Sequence, residues 1–162
     1  MSPETWESFF LGQLGATAAL AGLLFVAVSI NVDRIVRIPG LADRGFEVLL
    51  TLLGVLTLSA LMLVPGQSPT AAGIEVLAVS ILTVGGGVAV GLRGVRQTEA
   101  AHRLTFTIGL LIFLVAFAFC VVGGIVLLAG SAAGLYWVAA GMCIGVARAI
   151  IDAWVLLVEI NR

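Results

Sequence analysis

The sequence predicts an all-α, polytopic membrane protein of five transmembrane helices, with its N-terminus outside the cell and its C-terminus inside. Three observations carry that prediction. The 162 residues are 61% hydrophobic and 10% charged, whereas soluble domains are about half apolar and about a quarter charged. Too little polar surface exists to cover a soluble globule, so lipid has to be the solvent. Apolar runs recur at about the 20-residue length that a bilayer core requires. The arginines gather in some links between those runs and avoid the others.

The runs lie at roughly 8–30, 46–65, 70–92, 104–129 and 133–158, each near or above spanning length, and make residues 1–162 a single transmembrane helical domain. The opening segment "MSPETWESFF" has no basic residue and no cleavage site of the secretory type, so the first run is expected to stay in the mature protein. "NVDRIVRIPGLADRG" joins the first two runs, with Pro39-Gly40 as its turn signal. It is expected to be a solvated linker rather than an amphipathic segment lying on anionic lipid. In "PGQSPT", Ser68 suits an N-cap and Pro69 the first helical position. "RGVRQTEAAHR" follows the third run. Gly130, Ser131 and Gly134 in "AGSAAG" divide the last long apolar stretch into two spans.

Orientation follows from the arginines. Arg34, Arg37 and Arg44 occupy the first link, Arg93, Arg96 and Arg103 the third, and Arg162 ends the chain. The N-terminal segment and the second and fourth links have none, so the arginine-bearing side is expected to be cytoplasmic. Trp6, Phe9, Phe10, Tyr136 and Trp137 would mark the outer interface, Phe46 and Trp154 the inner one. All eight basic residues are arginine in a chain rich in alanine and glycine. That association points to a GC-rich bacterial genome and to the bacterial plasma membrane as location.

Several functions are disfavoured. A net charge of -1 argues against nucleic acid as a partner. Schiff-base chemistry needs a lysine, and there is none. His102 is the one histidine, too few for a His-rich metal site, and Cys120 and Cys143 sit in apolar runs as inert thiols. Neither H-E-x-x-H nor a serine elbow occurs, and "GGGVAVG" lies within a span rather than after a strand. No enzymatic activity, cofactor or metal is expected.

The closing stretch "GVARAIIDAWVLLVEINR" is the chemical anomaly, because it places Arg148, Asp152 and Glu159 in a spanning helix. With entry near Gly134, Arg148 falls about 21 Å down and Asp152 about 27 Å down, in a core about 30 Å thick. Glu159 then reaches the inner headgroups. A central arginine costs about 3 kcal/mol or more. Asp152 shares its face, but base before acid is the weaker order for an i,i+4 pair, so helix stability alone poorly explains it. Arg148 is therefore expected to face other helices, with Asp152 and Asn31 or Ser29 nearby. Arg148, Asp152, Asn31, Ser29 and Glu159 form the candidate ion pathway or polar cluster. It reads as a structural lock, a hydrated vestibule or a partner contact. Gln13 and Glu75 fall near the outer interface, and no polar line runs the full depth, which counts against an open pore.

Small residues let membrane helices approach. Gly12, Gly15, Ala19 and Gly22 form one stripe on the first run, and Gly141, Gly145, Ala149 and Ala153 another on the last; Gly87 and Gly91 repeat the spacing in the third. These stripes are expected to pack helices within the chain or between copies. Five helices leave much lipid-facing surface, so a homo-oligomer is expected.

The blocks "GATAALAGLLFVAVSINVDRI", "LLVPGQS" and "AWVLLVEINR" resemble a family of small actinobacterial-type integral membrane proteins often labelled modulators of the FtsH protease. The resemblance covers nearly the whole chain and implies a regulatory role beside another membrane protein. Two functions are thus expected. One is an oligomeric ion channel or transporter using the Arg148–Asp152 pair. The alternative is a non-catalytic regulator or assembly partner of a membrane complex such as a membrane-bound protease.

Overall fold

The computed structural model describes residues 3–38, 40–97 and 103–160, which form six helices and no strand. Pro39, His102 and Arg162 lie outside the described residues, as do the side chains of Arg96, Arg103 and Glu159. Five helices are long and apolar enough to cross a membrane: α1 (Pro3–Ile30), α3 (Leu41–Met62), α4 (Pro69–Gln97), α5 (Arg103–Leu128) and α6 (Gly134–Ile160). The sixth, α2 (Val32–Arg37), is a short helix in the first link.

The helix ends follow from local chemistry. Asn31 breaks α1, and its side-chain amide donates to the Ala27 carbonyl at 2.9 Å, satisfying an acceptor that the ending helix leaves over. Its backbone carbonyl accepts from Arg34 and Ile35 at 3.0 Å each, which starts α2. Gly40, at φ 80, turns the chain into α3. Ser68 caps α4 as its position predicts, its hydroxyl accepting from the Ala71 N–H at 3.2 Å. Gly130, at φ 82, closes α5 before the short turn to α6.

The first link corrects an expectation. The second span begins at Leu41 rather than near residue 46, so Arg44 rides inside a helix and not in a loop. The turn at Gly40 and the Gly40 carbonyl, which accepts from the Arg44 N–H at 3.1 Å, start the helix early. Arg44 tolerates burial because a carboxylate waits for it on α6. The solvated linker likewise contains α2, whose Ile35 is buried against the bundle.

α3 is the hub, touching α1, α4 and α6, while α5 lies between α4 and α6. Near the aromatic end, Phe10, Val55, Leu58, Val76, Val138 and Met142 build one buried cluster. Trp6, Phe9 and Phe10 meet edge-on or stacked there, and Trp6 meets Tyr136 at 4.9 Å. Near the other end, Leu24, Leu41, Val48, Leu52, Ala149 and Leu156 bury the contact of α1 with α3 and α6. Glycine permits the tightest crossings. A Cβ on Gly141 would stand 2.5 Å from the Ala116 carbonyl oxygen, and one on Gly134 2.5 Å from that of Gly123, so α5 and α6 touch along their backbones.

Candidate functional site: a buried charge quartet

Two arginines and two carboxylic residues meet where α3 packs against α6, with α5 alongside α6. Arg44 and Glu47 stand three residues apart on α3, and Arg148 and Asp152 four apart on α6, so each pair lies on one helical face. The two helices run antiparallel, which crosses the charges. Arg44 Nη2 donates to Asp152 Oδ1 at 3.0 Å, and Arg148 Nη2 donates to Glu47 Oε1 at 3.0 Å. Arg148 Nε stands 3.1 Å from Asp152 Oδ2, close enough to attract but without hydrogen-bond alignment. The order Arg44–Asp152–Arg148–Glu47 alternates in sign and sums to zero. Side-chain exposure is 6% for Arg148 and 3% for Glu47, so the pair has left water.

The depth agrees with the pairing. Arg148 follows Gly134 by about 21 Å of helix and Glu47 follows Leu41 by about 9 Å, together about the 30 Å of a bilayer core. α5 supplies the wall. The Arg148 guanidinium lies 5.6 Å from the Phe113 ring centroid, and that of Arg44 lies 5.6 Å from Phe106. Between the rings, Gly109 leaves room for the Arg148 head; a Cβ there would stand 3.3 Å from Nη2. Thr51, one turn past Glu47, turns its hydroxyl back to the Glu47 carbonyl at 2.8 Å and adds nothing to the quartet.

Of the expected cluster, the structure brings Arg148 and Asp152 together and leaves Asn31 and Ser29 apart from them. Asn31 is spent on the Ala27 carbonyl, and exposed Ser29 donates to the Phe25 carbonyl at 2.7 Å. Both serve the end of α1, because a helix terminus has free carbonyls that a short polar side chain reaches first. The Glu159 side chain is outside the described residues. Arg44 and Glu47 complete the site instead. Their signal was present in "ADRGFE": an opposite-charge pair at i,i+3 beside an apolar run, matching the pair in "RAIID".

The small-residue stripes divide. Gly141, Gly145 and Ala149 pack inside the chain, Gly141 against α5, Gly145 near Thr51 and Val55, and Ala149 in the α1–α3–α6 core. Gly12, Gly15, Ala19 and Gly22 do not. All four are exposed, and a Cβ on Gly12, Gly15 or Gly22 would meet nothing within 4 Å. α1 buries Phe10, Thr17 and Leu24 instead, because the larger side chains fill the groove beside α3. Within one chain, that stripe is therefore no packing surface.

No family model, curated protein or solved structure matches this chain.

Proposed function

We propose that the chain is a non-catalytic membrane protein that works by helix association, with α1 as its contact and a second copy as the first partner. One observation carries this reading. The Gly12–Gly15–Ala19–Gly22 stripe faces away from its own bundle, and 11% of the α1 span is buried against 50% of the α3 span. Small-residue stripes in lipid gain energy only when another backbone comes close. The resemblance to modulators of a membrane protease agrees with a contact role. The arginine distribution supports a bacterial plasma-membrane location with the quartet end in the cytoplasm.

Gly15→Leu is the test, read by cross-linking and by mass in detergent. Its side chain enters open space in the monomer, so fold should persist while association falls. Retained association at wild-type strength sinks the reading.

Transport through the quartet is the second reading. It is favoured by Arg148 Nε and Asp152 Oδ2, which are buried without an aligned partner. It stands second because the quartet is neutral and spends its charges on itself. Ion flux into liposomes tests it: flux that disappears in the neutral pair Glu47→Met with Arg148→Met supports a pathway, and flux absent from wild type removes it.

A further inference from the structure

The corner between α1 and α2 has chemistry that neither function uses. The α1 span, Trp6–Ile30, has 25 residues, or about 37 Å of helix, so Ile30 passes the edge of a core about 30 Å thick even with ordinary tilt. The Asn31 bonds fix the bend there. Beside it lies an open surface groove of about 260 Å³ lined by Ile30, Asn31, Asp33, Arg34 and Arg37. Arg34 and Arg37 are exposed and have no ion-pair partner among the described residues, unlike Arg44 and Arg148.

α2 is two-sided. At about 100° per residue, Asp33, Arg34 and Arg37 share one side, with Val32 and Val36 opposite. Ile35 anchors the helix in the bundle, and Ile30 and Val36 remain 77% and 72% exposed. In water that apolar exposure is a cost. At the boundary between headgroups and acyl chains it is burial, with the arginines level with the phosphates.

From this juxtaposition we propose that the α1–α2 corner binds the phosphate of an anionic phospholipid headgroup, held by Arg34 and Arg37, while Val36 and Ile30 lie against its acyl chains. The recognition rests on two guanidinium side chains, which suit phosphate oxygens through paired N–H donors. Asp33 opposes them, so the corner keeps one net positive charge. That opposition gives the proposal a signed control.

The experiment uses the full chain in nanodiscs of phosphatidylcholine carrying a minor fraction of phosphatidylglycerol. Lipid retained after gentle detergent extraction is measured by mass spectrometry. Wild type should retain phosphatidylglycerol preferentially. Arg34→Gln and Arg37→Gln should each reduce that preference about fivefold, the share of one basic residue near an anionic surface. Asp33→Asn should raise it. All three positions are exposed, so melting temperature should hold and separate lost binding from lost fold. Unchanged retention in the double arginine variant overturns the proposal. So does retention that inorganic phosphate at millimolar concentration erases, since that assigns the corner to a free anion.

Discussion

An unpaired guanidinium at the depth of Arg148 costs about 3 kcal/mol or more, so its partners decide whether α6 can span at all. Glu47 supplies the aligned bond at 3.0 Å, and Asp152 is shared between two arginines. Removing one partner strands a charge, whereas removing a complementary pair strands none. Glu47→Gln should therefore destabilise the protein by about 3–5 kcal/mol. Glu47→Met with Arg148→Met should recover most of that loss, because Arg44 and Asp152 still pair. Unfolding measured in detergent micelles gives both numbers. A double variant as unstable as Glu47→Gln would show that the pair holds the fold by something other than charge balance. Sequence made half of this site visible. Arg148 and Asp152 stand out because both sit within one apolar run, four residues apart. Arg44 and Glu47 did not stand out, because charges at the edge of a run read as loop. Only the antiparallel crossing of α3 with α6 turns them inward.

At the scale of the helix, glycine means different things on α1 and α6. Gly141 has the Ala116 carbonyl oxygen and Cys120 Sγ within 2.6 Å of where a Cβ would be, and backbone cannot give way as a side chain can. Gly141→Ala should force α5 and α6 apart and cost about 1–3 kcal/mol, the ordinary penalty of overpacking. Gly15→Ala meets nothing and should leave the monomer unharmed, or firmer by up to about 1 kcal/mol through helix propensity. Thermal unfolding of the two single variants side by side checks the contrast; equal losses would mean that α1 packs more closely than its open face implies. Spacing in the sequence identifies both stripes equally well. It cannot say which faces the chain's own bundle, because a 3-4-3 repeat fixes a helical face and not its neighbour. The number of spans was legible for the converse reason. Hydropathy over about 20 residues depends on the bilayer and on no tertiary contact. The start of α3 is set by the local turn at Gly40, which average hydropathy does not register, and it lies earlier than hydropathy places it.

Across the whole molecule, the two ends differ in chemistry, and that difference predicts a direction of insertion. One end gathers Trp6, Phe9, Phe10 and Tyr136, and the turn between α5 and α6 there carries no charge. The other end carries the exposed side chains of Arg34, Arg37 and Arg93, with Arg44 just inside. Basic residues in short links are retained on the cytoplasmic side during insertion, and acidic ones contribute little to that choice. The quartet does not weaken the asymmetry, since its charges cancel. The exposed arginines alone bias the chain, so N-terminus outside is the expected orientation. In a background with Cys120 and Cys143 replaced by serine or alanine, Ser131→Cys should react with a membrane-impermeant maleimide applied to intact cells. Asp33→Cys should react only after the membrane is opened. The reverse pattern would place the α1–α2 corner on the outer leaflet. Equal labelling at both positions would mean that the two ends compete and the chain inserts both ways. In that case antiparallel copies could meet through their exposed α1 stripes.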